Sequence, residues 1–262
     1  MISKIKEFFE RKRYWYFLPK KIRFLIWNLK ILKKYKTKNG DYYLPFFAFK
    51  DEIRNRIINN EITDKLIFDK LKDFIEPDTI VLDLGANFGQ MSILWSKCKP
   101  GVEVYAFEAS KYVFNILKKN IHINSANVKP VNALVGNETN KEQLIEKSFL
   151  KEYSTYGTNK INKIQNSNKK NTDKIKAIKI DDLNFEKKIS AMKIDVQGYD
   201  LDALKGSKKT ILNHKMPIIF EYEEKFEKEF NYTFRDFENF INEINYKIET
   251  KIDEINYLIV PK

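Results

Sequence analysis

The amino-acid sequence predicts an α/β protein with a mostly parallel sheet covered by helices on both faces. Two observations carry that prediction. Short apolar runs (TIVLDL, VEVYAF, AMKIDV and PIIFEY) alternate with helical stretches between Thr79 and Tyr222, and continuous hydrophobicity marks strands buried on both faces. The first run also passes through a glycine turn, Gly85 to Gly89, directly into a helix. Open α/β sheets build their ligand sites with such turns, at the carboxyl ends of the strands.

With 262 residues, 43% of them hydrophobic and 14% aromatic, the chain can bury one substantial core and is too apolar for wholesale disorder. The single cysteine, Cys98, has no partner for an intramolecular disulfide, and together with His122 and His214 it supplies no clustered ligand set, so no metal is expected. Every apolar stretch stops short of the ~20 residues that a membrane span needs, and the N-terminus lacks the pattern of a secretory signal. A cytoplasmic location is therefore expected. The formal net charge of +12 admits two readings. It reflects either a solvated surface rich in Lys, as in AT-rich genomes, or attraction to an anionic partner such as a nucleotide sugar, a membrane surface or RNA.

Residues 1–36 mix Lys and Arg with Phe8, Phe9, Tyr14, Trp15, Phe24, Leu25, Trp27, Leu29 and Leu32, and Pro19 divides them into two helices. A basic, Trp-containing amphipathic segment fits peripheral contact with the inner face of a membrane, a lid over the domain, or a dimer arm. Asn39-Gly40 predicts a two-residue hairpin turn between strands ending near Phe49. Residues 1–60 thus read as an N-terminal extension with a short hairpin, and 61–262 as the main domain. Ile62, Leu66, Ile67, Leu71 and Ile75 recur at helical spacing up to Pro77. Three strands follow, the third near 128–131, with a helix through Phe114, Leu117 and Ile121 before it. Residues 136–176 are poor in aliphatics and read as a polar excursion or flap. The sheet resumes at 191–196, followed by a helix over 201–212 and a strand over 217–222. An amphipathic helix over 234–244 and an antiparallel pair, 246–249 with 255–260, complete seven strands.

The candidate chemistry gathers at strand ends. In Asp83-Leu84-Gly85-Ala86-Asn87-Phe88-Gly89 the glycines let the backbone turn tightly and approach a ligand. Glu108 closes the second strand about 20 residues later, where a carboxylate accepts hydrogen bonds from two ribose hydroxyls. The dinucleotide pattern G-x-G-x-x-G fails, because position 87 is Asn and position 90 is Gln, and a Walker loop is absent. An adenosine-type cofactor without a pyrophosphate fits instead. Asp83 and Asn87 are candidates for the amino and carboxylate groups of a methionine moiety; otherwise they cap and brace the turn. Asn132 and Ala133, after the third strand, either contact an adenine or form an ordinary turn. Asp195 is the candidate for orienting or deprotonating an acceptor, with Gln197 hydrogen-bonding beside it; cofactor binding or helix capping is the other reading of Asp195. Glu221, which ends the fifth strand, is a candidate for substrate contact, although it could pair with a lysine.

VLDLGANFG, YAFEA and KIDVQGYDLDALKGS, in that order, resemble the motifs of the FkbM-type S-adenosylmethionine-dependent methyltransferases. The resemblance runs over roughly residues 61–221, leaving the N-terminal segment and 136–176 unmatched. Glu61 matches a frequent glutamate of the family, which makes it a candidate for substrate contact, although an acidic residue in a first helical turn would also complement the helix dipole; Asp200 stands where the family often has Glu. The resemblance implies a Rossmann-like class I methyltransferase fold, a mostly parallel seven-stranded sheet with an N-terminal helical extension. It implies S-adenosylmethionine as cofactor and O-methylation of a hydroxyl on a sugar, a surface glycan or a nucleotide-activated glycan precursor. A Lys-rich surface suits an anionic acceptor. An RNA methyltransferase is the rival that the basic charge invites. Against it, the fourth strand ends in IDVQG, not in the Asn/Asp-Pro-Pro-aromatic form that stacks a flipped base, so nucleic acid is not the expected partner. A non-catalytic, membrane-associated protein that retains the cofactor fold is a second rival.

Overall fold

The computed structural model describes residues 18–146, 161–162 and 172–262. Helix α1 (Lys20–Asn28) follows Pro19 and precedes a hairpin of β1 (Leu32–Thr37) and β2 (Gly40–Pro45). Helices α2 (Glu52–Ile58) and α3 (Lys65–Lys72) lead to β3 (Ile80–Leu84), α4 (Gln90–Trp95), β4 (Glu103–Phe107), α5 (Lys111–Ile123) and β5 (Val128–Val131). Four strands then form a sheet of their own: β6 (Leu134–Val135), β7 (Glu142–Glu146), β8 (Ile161–Asn162) and β9 (Thr172–Ile178). The chain continues through β10 (Ile189–Ile194), α6 (Asp200–Lys205), α7 (Lys208–His214) and β11 (Ile218–Glu221). It closes with α8 (Glu227–Phe230), α9 (Phe234–Glu243), β12 (Tyr246–Lys251) and β13 (Asn256–Pro261).

The large sheet has seven strands in the order β12-β13-β11-β10-β3-β4-β5. Its members from β11 to β5 are parallel, whereas β13 lies antiparallel to β11 and β12 antiparallel to β13. Every residue of β3 and β10 is buried, as strands covered on both faces require. The period of two separates the layers. Ile80, Leu82 and Leu84 pack with Leu201 and Leu204 of α6, Ile211 of α7 and Phe237, Phe240 and Ile241 of α9. Val81 faces the other layer, with Leu71 of α3, Trp95 of α4 and Leu117 and Ile121 of α5. This is the α/β architecture that the alternating pattern implied.

A third cluster joins Tyr42 and Leu44 of β2 to Ile57 of α2, Phe88, Ile93 of α4, and Val113 and Ile116 of α5. The boundary expected at residue 60 runs through this cluster. Asn120 stitches it to the glycine turn: its Oδ1 accepts from Tyr43 N at 2.7 Å, and its Nδ2 donates to Phe88 O at 2.9 Å.

Local structure departs from the sequence reading at five places. Thr37 pairs with Gly40, so Lys38 and Asn39 form the turn, and Gly40, not Asn39, takes the positive φ. The helix read from Ile62 to Ile75 is shortened to α3, because Asp64 at its start is left-handed with φ 50°, and Leu66 is 58% exposed. Helix α2, which no periodicity announced, precedes it. The helix expected over 201–212 breaks between α6 and α7, where Gly206 abuts another backbone: a Cβ there would lie 2.0 Å from Gly136 O. The polar excursion of 136–176 has β7 and β9 at its ends, paired antiparallel, and its stretches 147–160 and 163–171 lie outside the described residues. So does the first of the two helices expected around Pro19.

Candidate functional site

A cavity of about 320 Å³ opens at the carboxyl ends of β3, β4 and β10, where open α/β sheets bind ligands. That volume falls within the range of small-molecule sites, roughly 300–1,000 Å³. One wall is the glycine turn, Gly85 to Met91; another comprises Phe107 to Ser110; a third is Ala133 to Val135; and Lys193 and Asp195 to Gln197 form the floor. Asp51 to Ile53 at the start of α2, Arg56 in its last turn, and Thr63 and Asp64 close the remaining side. Gln90 fastens that side to the turn, its Oε1 accepting from Thr63 N at 2.8 Å and its Nε2 donating to Glu61 O at 2.9 Å.

Gly85 has φ 89°, and a Cβ on it would stand 1.9 Å from the carbonyl oxygen of Asp195. Only a glycine lets β3 and the end of β10 approach so closely. Gly89, with φ 87°, is the N-cap of α4. Asn87 has φ 50° and its N–H donates to Glu108 Oε2 at 3.0 Å. The other oxygen of Glu108 accepts from Ser110 N at 2.7 Å. Burial pushes the Glu108 carboxyl up to about 7, against the pull of these two amides. Asn132 donates to the carbonyl oxygens of Glu108 and Ala109 at 2.8 and 3.1 Å. It therefore braces the carboxylate's strand end, while Ala133 lines the cavity itself.

The sequence reading missed the residue at the centre of the site. Lys193 pairs in register with Asp83 on the adjacent parallel strand, and its side chain is 4% exposed. Its Nζ lies 3.1 Å from Asp195 Oδ2, 3.7 Å from Asp83 Oδ1 and 3.5 Å from Gly85 O. Burial would lower the lysine's pKa, but Asp195, Asp83 and Asp64 hold it above the usual value. A lone cation in one core strand beside a lone carboxylate in the next was the available signal. Asp83 has no exposed surface where it borders the cavity: Ser92 Oγ donates to its Oδ2, and Lys193 faces its other oxygen.

Asp195 follows β10 directly and its side chain is 29% exposed. Burial alone would raise its pKa, but Lys193 prevails and holds the carboxyl below the usual carboxylate range. Gln197, left-handed with φ 54°, donates from Nε2 to Asp195 Oδ1 at 3.2 Å. Behind them, burial together with Asp195 raises Asp200 to about 7. Burial, Asp195 and Asp200 push Glu221 up to about 10. As a carboxylate, Glu221 would have an Oε2 buried without a donor; as the neutral acid it donates to Asp195. Of the three carboxyl groups only Asp195 lines the cavity. Glu221 stands behind Asp195 and Glu61 is exposed; neither lines this cavity, whereas Thr63, Asp64 and Asp195 do.

The fit to S-adenosylmethionine rests on the donor set. The lining carries six carboxylates, Asp51, Glu52, Asp64, Asp83, Glu108 and Asp195, against Arg56 and Lys193, and such a pocket favours a sulfonium cation over a polyphosphate. Asn87 Oδ1 is buried without a partner, a polar atom that a ligand would satisfy. Glu108 would hold the ribose, Ala133 the edge of the adenine, and Asn87 with the amides of the glycine turn the methionine end. Among the described residues no cluster of His, Cys, Asp or Glu could hold a metal ion.

A family model described as Methyltransferase FkbM domain matches residues 83–248. Among curated proteins nothing matches the sequence. The chain is similar to three solved structures. Methyltransferase FkbM from Methylobacillus flagellatus is 18% identical, with 82% of this chain and 52% of that one covered and a TM-score of 0.45. Trm5b from Pyrococcus abyssi is 14% identical, with 87% and 54% covered and a TM-score of 0.46. TYW2 from M. jannaschii, in complex with AdoMet, is 16% identical, with 88% and 87% covered and a TM-score of 0.41. The chain spans about half the length of the first two.

Proposed function

The chain belongs to the FkbM methyltransferase family, whose cofactor is S-adenosylmethionine, and from that premise we propose that it methylates a hydroxyl group of a sugar, a surface glycan or a nucleotide-activated glycan precursor. The observation that carries this reading is Asp195, an ionised carboxylate at the floor of the cofactor cavity with one oxygen held by Lys193 and the other by Gln197. The cofactor supplies an electrophilic methyl carbon. The protein supplies alignment and a proton acceptor, because displacement at such a carbon needs the acceptor oxygen in line and relieved of its proton. Asp195 accepts a hydrogen bond from the hydroxyl and takes the proton late, once bond formation has made that proton acidic. Its low basicity is then sufficient, and Lys193 and Gln197 keep it in place. Carboxylates around the cavity disfavour phosphates there, so an anionic acceptor would keep its charged group outside and insert a neutral hydroxyl.

Replacement of Asp195 by Asn tests the assignment. Methyl transfer to sugar nucleotides should fall by about 10²-fold or more, within the range for a lost general base, while affinity for S-adenosylhomocysteine stays within a few-fold of the original. A variant that turns over at the original rate would remove Asp195 from the reaction, and a preference for RNA over sugar nucleotides would replace the acceptor class.

A further inference from the structure

We propose that α1 and the turn after it dock on an anionic phospholipid membrane and bring the mouth of the cofactor cavity to the lipid surface. Ile22 and Leu25, at i and i+3, share one face of the helix, and Leu29 follows directly after its last residue. They are 42%, 65% and 67% exposed, and Ile31, just beyond, is 45% exposed. These are large apolar side chains on a surface where the fold had no need to leave them.

The charge around the stripe selects what covers it. Between Leu18 and Gly40 the sequence has eight Lys and Arg residues and no Asp or Glu. Lys21 and Lys30 are exposed beside the stripe, with stems long enough to lie along apolar surface while the ammonium reaches a headgroup. A second copy of the chain would bring the same cations against these, and like charges facing each other oppose association. An anionic lipid surface satisfies both the apolar face and its cationic margins, at about 1 kcal/mol per basic residue near such a surface.

The turn after the stripe is tied to segments that run on to the cavity. Ile31 O accepts from Phe46 N at 2.8 Å, and Phe46 precedes the Asp51–Ile53 wall by a few residues. On the opposite margin Lys30 Nζ sits 4.9 Å from the ring centre of Tyr112, two residues past Ser110, which lines the cavity. A protein lying on this face would meet an acceptor presented at the membrane surface, without any segment crossing it; among the described residues no helix is long and apolar enough to cross.

Co-sedimentation with vesicles tests this without cofactor or acceptor. The full chain should pellet with phosphatidylcholine vesicles containing phosphatidylglycerol, not with phosphatidylcholine alone, and raised salt should release it. Leu25→Ser with Leu29→Ser should weaken vesicle binding by roughly tenfold or more and leave the thermal unfolding midpoint unchanged. Equal binding by that variant, or failure of the full chain to bind anionic vesicles, would overturn the proposal. So would a concentration-dependent dimer that the same pair of substitutions abolishes, since it would assign the stripe to a second copy.

Discussion

Replacing Lys193 with Met removes the cation between the buried carboxylate of Asp83 and the part-exposed one of Asp195 and keeps most of the stem's volume. Asp83 then has no exposed surface and no charged partner, and Asp195 loses the neighbour 3.1 Å away. Removing one partner of a buried ion pair costs about 3–5 kcal/mol, because the remaining charge is left uncompensated. For a chain of this size each kcal/mol lowers the unfolding midpoint by roughly 2–4 °C, so a drop of roughly 6–20 °C is expected at neutral pH. The pH dependence follows from the direction of the shifts. In the wild type Asp195 is depressed, so its stabilisation is present above the unfolded pKa and is lost as pH falls through the folded one. In the variant Asp83 and Asp195 protonate more readily, so the deficit is greatest at neutral pH and shrinks on acidification. Adding Asp83→Asn should recover part of the loss, because that substitution removes the orphaned charge. Thermal unfolding followed by circular dichroism from mildly acidic to neutral pH reads all three effects. A Lys193→Met chain within about 1 kcal/mol of the wild type at neutral pH, or a deficit that grows on acidification, would refute the assignment of Lys193 as the counter-charge of the site.

Two further outcomes follow from the same electrostatics. Glu221, pushed up to about 10, ionises near its ordinary value when unfolded, so its contribution is complete below that value and erodes as pH rises toward 10. Glu221→Gln should therefore gain stability relative to the wild type with increasing pH, by more than about 1 kcal/mol at mildly alkaline pH, as urea unfolding would measure; a constant difference across pH would contradict a neutral Glu221. Glu108 sits at about 7, and a ribose and a nearby cation favour its ionised form. Affinity for S-adenosylmethionine should rise through neutral pH with proton release, and Glu108→Gln should abolish that slope, both visible by titration in buffers of different ionisation enthalpy.

Most of the sheet was legible because buried parallel strands are written as unbroken apolar runs, and the glycine turn was legible because its residues need positive φ. What escaped was set by tertiary contact. Helix α2 has no apolar period of its own, yet Ile57 anchors it to the hairpin and its first turn closes the cavity. The break at Gly206 depends on a backbone 70 residues away in sequence, which local periodicity cannot register. Within the site, Gly85, Asn87, Gly89, Glu108, Ala133, Asp195 and Gln197 do line one cavity with Asp83. Lys193 was overlooked because it was read as part of a strand motif, and its meaning came only from the register that sets it beside Asp83. Asn132, Glu61 and Glu221 stand just behind or outside the lining, a displacement of a residue or two that strand-end positions alone do not resolve.

Calorimetric titration of the chain with S-adenosylmethionine and S-adenosylhomocysteine, with NAD as control, tests the central claim most directly. The account predicts micromolar binding of the first two, about −8 kcal/mol, and none of NAD, whose pyrophosphate the acidic lining repels. Binding of NAD, or of neither methionine-derived ligand, would contradict it.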